Sequence, residues 1–215
     1  MIRVITVERE YGSQGAAFAH HLARYLDWKL VDQCLIDEIA AKAGITKKLV
    51  ESCDERLDPW YYRVGKAFWY GSIERLPALD SSDVFDAERM VRFVREYFQE
   101  QVQTGSVVIV GRGATAALLT VPGVFHVFVH ASMKRKIAWF QENFPDHANE
   151  AEEEITATDK RRAAYVRRFY NREWNDYRMY HLMLNSCMGF DAMVKATAEA
   201  AGLSSIIPAH AHTGQ

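Results

Sequence analysis

The sequence predicts an α/β domain, a parallel sheet with helices on both faces, and three observations lead there. Short apolar runs rich in β-branched or aromatic residues recur along the 215 residues. Stretches long enough for helical crossovers separate them, as parallel strands require. The first run also passes directly through a glycine turn into a helical pattern. The strand-like runs are residues 2–7, 29–31, 107–110, 125–130 and 181–185.

The opening run contains Ile2, Val4, Ile5 and Val7, and the turn reads Tyr11-Gly12-Ser13-Gln14-Gly15. A helix of small and apolar residues is expected from Ala16. Strand, glycine turn and helix form the layout of a phosphate-binding loop. Its amides converge on an anion, and the helix N-terminus adds partial positive charge. Ser13, Gln14, Gly15, Ala16 and Ala17 supply the consecutive N–H groups. A tight strand-to-helix turn with no ligand reads the same way. The usual loop ends in Gly-Lys-Ser/Thr, the lysine for outer phosphates and the hydroxyl for magnesium. Here Ala16 and Ala17 follow Gly15, and the nearest cations are Arg9 before the turn and His20, His21 and Arg24 after it.

Residues 46–104 interrupt the alternation. They read as helical and aromatic (Trp60, Tyr61, Tyr62, Phe68, Trp69, Tyr70), with an amphipathic helix over 86–103 carrying Met90, Phe93, Val94 and Tyr97. The run 107–110 then delivers Arg112 between Gly111 and Gly113 at its carboxyl end, the edge where open α/β sheets bind ligands. Its guanidinium can grip phosphate with two bonds, or it can pair with a neighbouring carboxylate. Residues 149–178 read as an irregular region, acidic at Glu150, Glu152, Glu153 and Glu154 and then basic from Lys160 to Arg172. On a helix, Arg161, Tyr165, Arg168 and Arg172 share one face; Lys160 and Arg167 form a second group, and Arg162, Val166 and Phe169 a third. Such a run is a solvated face or an anion-binding one. Asp32, at the end of the second strand, either caps the following helix or reaches a substrate.

Composition narrows the function classes. Hydrophobic content of 49% and charged content of 25% are those of a soluble globular domain. A net charge of −2 offers no global attraction for nucleic acid or anionic membrane, so an anion site must be local. Cys34, Cys53 and Cys187 lack metal spacing, and an odd count fits a reducing cytoplasm. No apolar run approaches the roughly 20 residues of a membrane span. The two histidines near the C-terminus do not make a metal site.

Taken together, ITVEREYGSQG, LDWKLVDQCLI, VVIVGRGATAALL, VFHVFVHAS and DKRRAAYVRRFYNREWNDYRMYHLMLNS, in that order, resemble the cytidylate kinase-like family of P-loop nucleoside monophosphate kinases. The resemblance covers nearly the whole chain. It implies a three-layer P-loop NTPase-type fold with a five-stranded parallel sheet. The core would be residues 1–45, 105–148 and 179–207, with a monophosphate-binding insert at 46–104 and an arginine-bearing lid at 149–178. Gly12 to Ala17, with Arg9, would hold ATP phosphates. Asp32, Gly111, Arg112 and Gly113 would face the monophosphate. Arg112 with Lys160, Arg161, Arg162, Arg167 and Arg168 would act on the transferred group. The implied partners are Mg-ATP and a nucleoside monophosphate, CMP or dCMP foremost. A catalytically weak nucleotide-binding protein is the alternative function, favoured by Ala16 and Ala17. The aromatics between Trp60 and Tyr70 are read as packing around a base, with a homodimer interface as the other reading.

Overall fold

The computed structural model describes residues 1–32, 35 and 81–203. The aromatic segment from Trp60 to Tyr70 and the C-terminal histidines lie outside them. Five strands form one all-parallel sheet in the order β2-β3-β1-β4-β5. They are β1 (Val4–Arg9), β2 (Lys29–Val31), β3 (Val107–Val110), β4 (Val124–His130) and β5 (Leu182–Asn185). The predicted parallel α/β architecture is therefore the one observed. The first strand, however, sits two residues later than its apolar run. Pairing with β4 continues through Glu8↔Phe128 and Arg9↔Val129, so hydrogen-bond register carries the strand past its apolar residues into charged ones.

Among the described residues, six helices cover the sheet: α1 (Gly15–Leu26), α2 (Ser81–Thr104), α3 (Ala114–Ala117), α4 (Met133–Asn143), α5 (Ala151–Tyr170) and α6 (Phe190–Ala200). On one face α1 and α6 pack Phe18, Leu22, Met193 and Val194 onto Ile5, Val7, Val108 and Val127. On the other, α2 lays Met90, Val94, Tyr97 and Phe98 onto Val4, Val31, Val107 and Ile109. Each fully buried large apolar side chain contributes about 1.5–3 kcal/mol, and the two layers clamp the central strand β1 between them. No described helix is long and apolar enough to cross a membrane.

The region expected to be irregular contains a regular 20-residue helix, α5. Its buried positions Ile155, Thr158, Arg161, Tyr165 and Val166 follow helical spacing, although two of them are polar or charged. Arg161 is accommodated there by Thr158 Oγ1 at 2.6 Å and Glu154 at 3.4 Å. Tyr165 and Val166 join Val91, Phe128 and Trp174 in a small core. At the far end, Phe140 and Phe144 meet Ala151 and Ile155 beside Tyr11. The helix is thus packed against the sheet layer and against the turn that follows β1.

Candidate functional site

The strand order places β1 between β3 and β4, so the chain reverses direction across the sheet at β1. Ligands of open α/β sheets bind at the carboxyl ends of strands beside such a reversal. Two segments meet there, the turn after β1 and the bridge after β3.

The first is a tight bend. Ser13 N–H and Oγ both donate to the Glu10 carbonyl, at 3.3 and 2.7 Å. Gln14 takes a left-handed conformation, φ 61°, as the N-cap of α1. The Phe18 amide bonds to the Gln14 carbonyl at 3.0 Å. Helix geometry leaves the amides of Gly15, Ala16 and Ala17 without intrahelical acceptors. Ala17 is exposed and Ala16 half-buried.

The second is a left-handed bridge. Gly111, Arg112 and Gly113 have φ of 70°, 56° and 69°. An arginine in this region carries about 1–2 kcal/mol of backbone strain, and strain of this kind concentrates at ligand sites. The bridge is pinned by Gly111 N–H to the Val7 carbonyl at 3.1 Å, so it is tied to β1 itself. A Cβ at Gly111 would stand 2.0 Å from Arg9 Nη1. With glycine at 111 the Arg9 guanidinium lies where a side chain would otherwise stand.

Three guanidinium groups come together here. Burial pushes Arg9 down to about 9, with Arg162 the next largest cause and Arg112 also contributing. Arg162 Nη1 donates to the Arg9 carbonyl at 2.7 Å, and burial lowers Arg162 as well. Arg112 is buried. Carboxylates hold this charge in place. Asp159 accepts the Tyr11 amide at 2.7 Å, stands 3.7 Å from Arg162 and pairs with Lys136 Nζ at 3.3 Å. Lys136, itself buried, pairs also with Glu10 at 3.2 Å, and Glu10 accepts the Ala131 amide at 3.1 Å. Burial raises Asp159 above the usual carboxylate range, against the pull of Arg162. The network fastens α4 and α5 to the backbone on both sides of Glu10.

The sequence-derived candidates therefore divide. Arg162 and Arg112 both act on the Arg9 charge, Arg9 lies against Gly15 of the bend, and Gly111 and Gly113 frame Arg112. Arg161 is engaged with Thr158 and Glu154 within α5. Lys160, Arg167 and Arg168 are exposed, and Arg167 pairs with Glu173. Arg172 lies past the end of α5, off the face proposed for it. Asp32 accepts the Leu35 amide at 3.0 Å, the bond expected of a helix cap. Sequence reasoning passed over Glu8, Glu10, Lys136 and Trp174. Glu8 carried a signal, being a charge in a strand whose partners bury it from both sides. So did Lys136, one helical turn before the buried Phe140.

Among the described residues no three His, Cys, Asp or Glu are grouped to hold a metal. Ala16 and Ala17 bring no hydroxyl, and the Ser13 hydroxyl donates to the Glu10 carbonyl.

Comparison with known proteins bears on the family and the fold. A model of the cytidylate kinase-like family matches residues 4–187. Among solved structures, an uncharacterized protein from Eubacterium ventriosum is 23% identical, with a TM-score of 0.62 over 93% of this chain and 99% of that one. A shikimate kinase from Bacteroides thetaiotaomicron is 13% identical, with a TM-score of 0.53 over 94% of this chain and 100% of that one. At these identities the likeness is one of fold. No functionally curated protein matches the sequence.

Proposed function

Since this chain belongs to the cytidylate kinase-like family, we propose that it is a kinase transferring the γ-phosphoryl group of Mg-ATP to a nucleoside monophosphate, CMP or dCMP foremost. The observation that carries this reading is the convergence of Arg9, Arg112 and Arg162 beside the bend at Gly12–Ala17. Like charges held together in a partly dry site repel one another, and a polyphosphate relieves that repulsion. Phosphoryl transfer is mostly positioning and charge neutralisation. The bend amides cradle the donor phosphates. Arg9 stands in for the missing loop lysine, Arg112 reaches the acceptor side, and Arg162 covers both from α5. Magnesium arrives with ATP as part of the substrate and neutralises β- and γ-oxygens.

Ala16 and Ala17 favour a second reading, a catalytically weak nucleotide-binding protein. One lost charge-assisted bond costs about 1.5–3 kcal/mol, and more where charge develops in the transition state. Incubation with Mg-ATP and a panel of nucleoside monophosphates, followed by ³¹P NMR, separates the two. ADP and a nucleoside diphosphate formed by the wild type and lost in Arg112→Ala support the kinase. Binding without turnover, with activity appearing in Ala16→Lys/Ala17→Ser, supports the weak binder.

A further inference from the structure

Helix α4 carries three consecutive basic residues, Lys134, Arg135 and Lys136. The first two are exposed, whereas Lys136 is only 5% exposed. A buried ammonium is costly unless it is paired. The lysine stem lies against the bend, since a Cβ added at Gly12 would stand 3.1 Å from Lys136 Cβ and 3.2 Å from its carbonyl oxygen. The charged end goes elsewhere. Lys136 Nζ meets Glu10 Oε2 at 3.2 Å and Asp159 Oδ2 at 3.3 Å. This lysine beside the proposed phosphate cradle is therefore engaged with two acids.

Both acids also hold backbone. Glu10 Oε2 accepts the Ala131 amide at 3.1 Å, and Asp159 Oδ1 accepts the Tyr11 amide at 2.7 Å. Asp159 stands one helical turn before Arg162, whose Nη1 is 3.7 Å from its Oδ1. The same Nη1 donates to the Arg9 carbonyl at 2.7 Å. Asp159 thus lies between two cations, and the ammonium is the nearer. A carboxylate in so sheltered a place needs a partner. Without the ammonium, Arg162 is the cation on which it closes. An arginine drawn onto a carboxylate leaves the Arg9 carbonyl and offers an incoming anion a cancelled charge.

We propose that Lys136 is a positioning residue for the phosphate site: by holding Asp159 against the bend, it keeps Arg162 turned to Arg9 and available to a phosphoryl group. Lys136 itself does not touch phosphate, and no bond forms or breaks at it. The proposal rests on the arginine pocket being the anion site of the proposed kinase.

Titration calorimetry with inorganic pyrophosphate, run beside urea unfolding, tests this role. Lys136→Met keeps the apolar stem and removes the charge, and the folded variant should bind roughly tenfold weaker than the wild type. Asp159→Asn keeps an acceptor for the Tyr11 amide and loses the carboxylate charge. Added to Lys136→Met, it removes the acid that draws Arg162 away. The double variant should therefore regain most of the lost affinity, to within roughly threefold of the wild type. A purely structural lysine would lower stability and leave the affinity of the folded protein unchanged. A lysine that touches phosphate would lose affinity that Asp159→Asn does not return. Either result would overturn the proposal. Should Lys136→Met fail to fold, Lys136→Gln, which keeps a donor without the charge, takes its place in both comparisons. The anion site itself fails on a different result, and the proposal falls with it: no pyrophosphate bound by the wild type, or binding untouched by Arg112→Ala.

Discussion

Replacing Gly111 with alanine tests the packing of the site at one atom. The new methyl would stand 2.0 Å from Arg9 Nη1 and 3.0 Å from Arg9 Cζ, far inside contact distance. The bridge is fixed to Val7 on the central strand, so the arginine must give way. Losing one charge-assisted bond to phosphate costs about 1.5–3 kcal/mol, roughly 10- to 150-fold in affinity. Alanine at φ 70° adds about 1–2 kcal/mol of conformational cost to the fold. Gly202→Ala separates the two effects. Gly202 has φ 68° and nothing within 4 Å of an added Cβ. It should lose comparable stability and keep its anion affinity. The assay is calorimetric titration of pyrophosphate together with urea unfolding of both variants. Gly111→Ala binding as tightly as Gly202→Ala would refute the placement of Arg9 in the pocket.

Two further predictions concern the interior below the site. Thr6 Oγ1 joins Thr115 Oγ1 at 2.8 Å and His126 Nδ1 at 2.7 Å, all buried. Thr6→Val keeps the shape and strands two polar partners, so urea unfolding should show a loss of about 1–3 kcal/mol for each. His126 gives the fold a pH dependence. Burial, then the neighbouring His181, hold its imidazole down to about 4. The stability is fully present above the unfolded value near 6.5. It is lost as pH falls from there towards 4, because the unfolded chain takes up a proton that the native state refuses. The loss is on the order of 3 kcal/mol, and His126→Gln should flatten that part of a stability-against-pH curve.

The parts legible in the sequence share a physical cause. The strands β2 and β3 stand where Lys29–Val31 and Val107–Val110 predict them, and β4 begins one residue early. Apolar runs mark strands whose surroundings are apolar. The same signal fails at the end of β1, where Glu8 and Arg9 continue the strand into the charged site. It fails again in α5, where Arg161 occupies a buried position that Glu154 and Thr158 make tolerable. Arg112 between two glycines and the bend after β1 were visible because their meaning is local. The rest of the site joins distant segments. Tyr11 meets Asp159 across 148 positions and Glu8 meets Trp174 across 166, pairings that no local pattern encodes.

The arginine cluster also bears on how α5 works. Asp159 and Arg162 of α5 hold the backbone at Tyr11 and Arg9. Tyr165 and Val166 are already packed with Phe128 and Trp174. An arginine set in place beforehand gives up less freedom when substrate arrives, which favours binding.

Calorimetric titration of Mg-ATP into the wild type, Arg9→Ala and Arg112→Ala asks whether Arg9, Arg112 and the bend amides line one polyphosphate pocket. Saturable one-to-one binding is expected, weakened roughly tenfold or more in each variant while the melting temperature confirms folding. Nucleotide affinity identical in all three proteins, or absent from the wild type, would contradict it.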